Sequence, residues 1–144
     1  MIAYMLEPVD IGDRFSMWPL HMTLLPWFEA PSAQPVEQRL SEKLKGVASF
    51  KVVVGERAIF GSQLPVMLID HTSVIQQLHE KLLEMLEENN WQLRGRYTGA
   101  SFRPHVTQKA GQDASGTLHV TSLHIVEALP QNYRQIVGKV DLVT

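Results

Sequence analysis

The chain has 144 residues, a hydrophobic fraction of 44%, a formal net charge of −2 at pH 7 and no cysteine. This length fits one compact domain, and the lack of cysteine excludes disulfides, thiolate nucleophiles and cysteine-ligated zinc. Slight acidity argues against avid, sequence-independent binding to long nucleic acid, and no apolar run approaches the ~18 residues of a membrane-spanning helix. We therefore expect a single domain over residues 1–144, without a secretory signal and located in the cytoplasm.

In chain order, the sequence predicts strands at 2–6 and 20–28, a helix at 35–45, strands at 50–60 and 65–69, a helix at 74–88, and strands at 105–109, 118–126 and 135–143. The second helix has the clearer pattern, because an apolar stripe from Val74 to Leu86 runs opposite charged residues. Ser73 and Gln76 predict a capping box at its start. Strands and helices do not alternate strictly, so the pattern predicts an α+β fold.

The first motif with chemical potential is His21-Met22-Thr23, inside the strand predicted at 20–28. Side chains alternate between the two faces of a strand, so Met22 is expected to point into the core. His21 and Thr23 then share the other face. An imidazole and a hydroxyl side by side can move a proton and bind a phosphate oxygen.

A second His-x-Thr motif spans 105–107 and is entered through the sequence Phe-Arg-Pro. Alternation directs Val106 toward the core and places Arg103, His105, Thr107 and Lys109 on one face. Proline suits the start of a strand, which puts His105 near the beginning of this one. The two flanking cations favour binding of a phosphate group on this face.

A third His-x-Thr motif lies at His119 and Thr121, although chance predicts only ~0.3 such matches in a chain of this composition. No proline or basic residue precedes His119, so His105 is the preferred partner of His21 and His119 is the alternative. The remaining histidines are interpreted as structural: His71 in a turn, His79 within the second helix and His124 in a strand.

The segment from residue 89 to 112 contains no acidic residue but holds four basic ones, Arg94, Arg96, Arg103 and Lys109. A solvated basic loop and a local anion site are both compatible with this pattern. An anion site of this size would suit a short phosphate ligand better than a long duplex.

Paired His-x-Thr motifs, one early and one late, with the later entered through Phe-Arg-Pro-His, resemble the two-histidine (2H) phosphoesterase superfamily. That superfamily includes bacterial 2′–5′ RNA ligase and cyclic phosphodiesterase proteins. The resemblance covers most of the chain and is clearest over residues 79–109. It implies two similar α+β lobes, each a mainly antiparallel sheet with a helix packed outside, facing across a central groove. It also implies that neither a cofactor nor a metal takes part. Four residues are then expected to be catalytic: His21, Thr23, His105 and Thr107.

The expected function is cleavage of a 2′,3′-cyclic phosphate or a 2′–5′ phosphodiester in RNA ends or small nucleotides. One neutral and one protonated imidazole on opposite sides of the phosphorus can accept and donate the two protons that move. Arg103 and Lys109 are expected to steady the phosphate, and Tyr97 and Trp27 to stack on a base. The expected partner is this substrate alone, with no membrane and a monomeric protein.

Three alternatives stay open. The first is a non-catalytic RNA- or nucleotide-binding module of the same fold. The second is a metal-dependent hydrolase using several of the six histidines, which is disfavoured because no His-x-His or His-Glu-x-x-His spacing occurs. The third is an interaction domain whose motifs are coincidental. Which histidine is the acid, and whether hydrolysis or ligation prevails, are also open.

Overall fold

The computed structural model describes residues 1–109 and 111–144. In these residues the strands are β1 (Ile2–Met5), β2 (Arg14–Phe15), β3 (His21–Leu25), β4 (Phe28–Glu29), β5 (Phe50–Phe60), β6 (Leu64–Ile69), β7 (Gln92–Leu93), β8 (His105–Thr107), β9 (Thr117–Val120), β10 (Ser122–Ala128) and β11 (Arg134–Asp141). The helices are α1 (Ala33–Lys43) and α2 (Ser73–Asn89), and two short 3₁₀ turns span Gly99–Ser101 and Pro130–Asn132.

One antiparallel sheet joins nine of these strands, in the order β2-β11-β10-β1-β3-β8-β6-β5-β9. The strands β4 and β7 form a separate two-stranded ribbon. The order divides the sheet into two lobes, the first ending at β3 and the second beginning at β8. The lobes therefore meet where β3 pairs with β8, which agrees with the expected two-lobed α+β fold.

Both helices cover a common apolar core. α1 packs against β10 and β11, and α2 packs against β3. Met22 and Leu24 of β3 and Val106 of β8 are fully buried in this core. Four side chains on the opposite face of β3 and β8 point away from the helices and form the floor of the groove between the lobes: His21, Thr23, His105 and Thr107. Neither helix is both long and apolar enough to cross a membrane.

Both predicted helices are present, and their ends differ from the predictions. α1 begins at Ala33, two residues before the predicted start, and ends at Lys43. The N-cap of α2 is Thr72, whose hydroxyl accepts a hydrogen bond from the N–H of Ile75 at 3.4 Å. The prediction of Ser73 as the cap was wrong by one residue, because Thr72 keeps extended backbone angles and Ser73 already lies in the helix.

Two predicted strands are divided in the structure. The strand predicted at 20–28 is interrupted after Leu25 by Pro26, which has no N–H to donate to a ladder. The strand predicted at 118–126 is divided at Thr121, because β9 pairs with β5 in the second lobe while β10 pairs with β1 and β11 in the first. The chain crosses between the lobes at this residue. The strand predicted at 105–109 ends at Thr107.

Candidate active site

The two preferred His-x-Thr motifs lie side by side at the junction of the lobes. Met22 of β3 is directly opposite Val106 of β8, and both side chains are 0% exposed. Alternation along each strand turns the flanking side chains to the groove face: His21, Thr23, His105 and Thr107. In this antiparallel register each histidine lies beside the threonine of the other motif, at the ~4.5–5.5 Å spacing of cross-strand neighbours.

The two imidazoles are held by the same kind of hydrogen bond. Nδ1 of His21 is 2.9 Å from the carbonyl oxygen of Pro19, and Nδ1 of His105 is 2.9 Å from the carbonyl oxygen of Arg103. A carbonyl oxygen can only accept, so Nδ1 carries the proton in both rings. The neutral form of each ring then has an unprotonated Nε2 that can take up a proton.

Burial lowers the pKa of both imidazoles. For His21 the Pro19 carbonyl opposes this effect, and the charge of His105 lowers the pKa further. For His105 the carbonyl of Arg103 opposes burial, while the positive charge of Arg103 lowers the pKa. Because a proton on His105 disfavours a proton on His21, a pair with one neutral and one protonated ring is favoured over the doubly protonated pair. Acid–base chemistry at a single phosphorus atom needs that combination.

Each histidine also packs against an aromatic ring that faces an arginine. Trp18 stacks on His21 with ring centroids 4.2 Å apart, and the guanidinium of Arg134 lies 5.4 Å from the Trp18 centroid. Phe60 meets His105 edge to face at 4.6 Å, and the guanidinium of Arg103 lies 4.9 Å from the Phe60 centroid. These rings limit the solvent around the imidazoles, which accounts physically for their lowered pKa.

Trp18, Phe60 and Arg134 were missed by the sequence analysis. Trp18 and Phe60 stand next to turns, where strand alternation no longer defines the direction of a side chain. Arg134 reaches the site from β11, at the far end of the sequence. A weak signal was available for Trp18, because it comes three residues before His21 and directly precedes Pro19, which lies two residues before the start of β3.

A cavity of about 370 Å³ opens beside His105 and Thr23. Its volume is within the range of small-molecule sites. The side chains that line it combine aromatic rings with two cations, and they include Phe60, Arg96, Tyr97, Phe102 and Arg103. Arg103 and Tyr97, both predicted from the sequence to contact substrate, are therefore brought together with His105. Arg96 was part of the predicted basic segment but had no assigned role.

Backbone contacts fix the loop that carries Arg96 and Tyr97. The N–H of Arg94 and the N–H of Gly95 both donate to the carbonyl oxygen of Trp27, at 2.8 and 3.2 Å. A Cβ atom at Gly95 would overlap the ring of Pro26, so this position requires glycine for the loop to approach β3 so closely. The loop thereby presents Arg96 and Tyr97 to the cavity.

Trp27, the other aromatic residue expected to stack on a base, is not among the residues that line this cavity. Its ring centroid lies 6.2 Å from that of Trp18, which in turn stacks on His21. Trp27 therefore borders the first lobe's side of the groove, one ring removed from the imidazole.

Lys109, predicted to bind phosphate, is paired with a carboxylate. Its Nζ lies 2.9 and 3.1 Å from the two carboxylate oxygens of Glu7. Glu7 also accepts a hydrogen bond from the N–H of Leu20, and these two contacts, the Leu20 bond first, lower the pKa of Glu7. The Lys109–Glu7 pair thus connects the segment after β8 to the residue directly before His21.

The third motif is remote from the other two. His119 lies on β9 at the edge of the sheet, where it is exposed and its Nε2 is 3.3 Å from the hydroxyl of Ser49. Three strand steps separate β9 from β8 in the sheet order, or about 14 Å at the usual strand spacing. His105, rather than His119, is therefore the neighbour of His21. Among the described residues, no group of three or more potential metal ligands comes together.

Four partly or fully buried histidines predict that the protein loses stability in acid. Burial is the largest cause of the lowered pKa of each of them: His21, His79, His105 and His124. Below their ordinary pKa of 6.5 the unfolded chain binds protons that the folded chain does not, so the free energy of unfolding should fall as pH drops below about 6.5. Above that value these groups should contribute no pH dependence.

Thermal melts between pH 5 and 8 test this linkage. The melting temperature should be level at the alkaline end and decline toward pH 5. The matched variant is His124→Leu, because Nδ1 of the buried His124 has no hydrogen-bond partner in the part of the chain that the structure describes. This variant should decline less steeply than wild type. An equal decline in both proteins would contradict the assignment for His124.

Comparisons with known proteins agree with this geometry. A sequence model of the 2′-5′ RNA ligase superfamily matches residues 6–141. Among solved structures, E. coli LigT complexed with 3′-AMP is similar with a TM-score of 0.61 and 14% identity, over 99% of this chain and 96% of that one. A protein described as a phosphoesterase is similar with a TM-score of 0.59 and 15% identity, over 99% and 97% of the two chains. A comparison with curated proteins found no match. The structural likeness shows the fold, the family model covers nearly the whole chain, and this protein belongs to the 2′-5′ RNA ligase superfamily.

Proposed function

We propose that this protein is a metal-independent phosphoesterase that cleaves a 2′,3′-cyclic phosphate or a 2′–5′ phosphodiester in RNA ends or nucleotides. The observation that carries the proposal is the pairing of β3 with β8, which sets two imidazoles and two hydroxyls on one groove face. In both rings Nδ1 is bonded to a carbonyl, so both have Nε2 left for substrate. Solved complexes of the structurally similar E. coli LigT with 3′-AMP and with phosphate are consistent with this substrate class.

The proposed reaction on a cyclic phosphate is an in-line displacement. The neutral imidazole takes a proton from water as the water oxygen bonds to phosphorus. The bond from phosphorus to one ribose oxygen breaks on the opposite side, and the protonated imidazole gives its proton to that oxygen. Thr23 and Thr107 donate hydrogen bonds to the non-bridging oxygens, where negative charge builds in the transition state. With the 5′-hydroxyl of an RNA end in place of water, the same two imidazoles would open the ring with the 3′-oxygen leaving and form a 2′–5′ phosphodiester, which is ligation; the reverse of that step cleaves such a bond.

We assign the nucleoside to the cavity beside His105. Tyr97 is 70% exposed, so its ring is accessible to a base, and Arg103 and Arg96 supply positive charge beside the phosphate. Trp27 would contact only the part of a substrate that extends past Trp18. Lys109 would bind phosphate by sharing its ammonium between the substrate and Glu7.

Alanine variants of the histidines test the proposal directly. His21→Ala and His105→Ala should each lower kcat/KM on a 2′,3′-cyclic nucleotide or a 2′–5′ dinucleotide by about 10²–10⁴-fold, because each removes one acid–base group. The assay contains EDTA and spans pH 5 to 9, where the wild type should give a bell-shaped profile. His119→Ala is the matched control, since it removes the histidine of an equivalent motif outside the groove, and it should keep wild-type activity.

Two other outcomes of this assay are informative. Full activity of either groove variant would contradict the acid–base assignment. Binding of the nucleotide by a folded wild type without any turnover would favour the alternative function, a nucleotide-binding module of the same fold. The assay also identifies the product isomer.

The expected cytoplasmic location and monomeric state stay predictions.

The close approach of Gly95 to Pro26 provides a test of the substrate cavity. Gly95→Ala should displace the loop that carries Arg96 and Tyr97, because the ring of Pro26 cannot move aside as a flexible side chain could. We expect KM to rise several-fold with a smaller change in kcat, since the histidines lie on strands that do not move. Gly55→Ala is the comparison, because Gly55 lies outside the cavity lining, has no positive φ, and would bring its Cβ mainly against the end of the Asp70 side chain. An unchanged KM in a folded Gly95→Ala variant would argue against nucleoside binding by this loop.

A further inference from the structure

His79 of α2 is fully buried, and both of its ring nitrogens form hydrogen bonds with backbone groups. Nδ1 is 2.7 Å from the carbonyl oxygen of Leu24, to which it must donate, and Nε2 accepts from the N–H of Gly99 at 2.9 Å. The ring lies parallel to that of Phe102, with centroids 3.9 Å apart and planes 8° from parallel. Only the neutral tautomer with its proton on Nδ1 satisfies both hydrogen bonds. From the sequence, His79 was interpreted as a structural residue of the second helix.

The two hydrogen bonds of His79 reach the segments that carry the two motifs. Leu24 directly follows Thr23 on β3. Gly99 begins the 3₁₀ turn that leads through Phe102 to His105, and Phe102 also lines the substrate cavity. α2 is therefore attached, through one side chain, to the backbone beside each half of the groove.

A proton on His79 would break this arrangement. Nε2 would become a donor facing the N–H of Gly99, and a charge would be buried with no counterion in contact among the described residues. Burial is the main cause of the lowered pKa of His79; the Leu24 carbonyl and Glu80 of the same helix raise it, and His71, whose ring packs against Phe102, lowers it. His79 is thus neutral near pH 7.

We propose that His79 is a positioning residue for the proposed phosphoesterase reaction: its neutral ring fixes Thr23 and His105 relative to each other, and its protonation in acid disrupts that alignment. The inference rests on the proposed function. If it holds, the loss of activity in acid reflects the protonation of a third histidine, which does not contact the substrate. Misalignment of reacting groups by ~1 Å can cost about 10²-fold in rate, so one lost backbone contact is enough for a measurable effect.

Two substitutions separate the hydrogen bonds from the bulk of the ring. His79→Phe keeps a planar ring that can stack on Phe102 but has neither nitrogen. His79→Gln keeps one donor and one acceptor in a side chain that does not titrate in this range. We expect His79→Phe to lower kcat about tenfold or more with little change in KM, because alignment is lost while the cavity persists. We expect His79→Gln to recover most of that kcat and to shift the acid limb of the kcat profile to lower pH.

The outcomes distinguish this inference from the function on which it rests. A His79→Phe variant that unfolds cooperatively, yet keeps wild-type kcat and a wild-type acid limb, would overturn the positioning role and leave the proposed function intact. A His79→Gln variant with the same low kcat and the same acid limb as His79→Phe would also overturn it. A wild type without turnover on any cyclic or 2′–5′ substrate would instead overturn the proposed function, and this inference with it.

Discussion

The contact on which the rest of the site depends is the pairing of β3 with β8. It is a short contact, centred on Met22 opposite Val106, and it is the place where the two lobes of the sheet meet. Because both side chains are completely buried under the helices, neither strand can slip by one residue without exposing an apolar side chain and burying a histidine. The hydrophobic effect on one face of the sheet therefore sets the register of the polar groups on the other face.

The two histidines of the groove have nearly equivalent immediate contacts. Each ring donates from Nδ1 to the carbonyl two residues before it, and each packs against an aromatic ring that faces an arginine. This symmetry suits a reaction in which a proton is taken on one side of phosphorus and given on the other. The asymmetry lies in the surroundings, because the cavity with Arg96 and Tyr97 opens on the His105 side and Trp18 covers the His21 side.

The sequence was informative where local rules apply and silent where the result depends on long-range pairing. Alternation along single strands correctly predicted that Met22 and Val106 are buried, and the motifs singled out His21 and His105, which lie on neighbouring strands in the structure. Neither rule could predict that Thr121 marks a crossing from one lobe to the other, since a strand does not record its partner. For the same reason the sequence could not discriminate geometrically between His105 and His119. The positions of Trp18 and Phe60 and the two backbone hydrogen bonds of His79 depend on turns and on segments far apart in the chain.

The interaction between the two imidazoles is measured most directly by an NMR titration of the His21 ring in the wild type and in His105→Ala. Because the two imidazoles lie on the same face of neighbouring strands, the charge on His105 lowers the pKa of His21. We therefore predict a higher pKa for His21 in His105→Ala than in wild type, and the same pKa in wild type and His119→Ala. An unchanged pKa of His21 on loss of His105 would show that the rings do not interact, and would contradict a shared acid–base site.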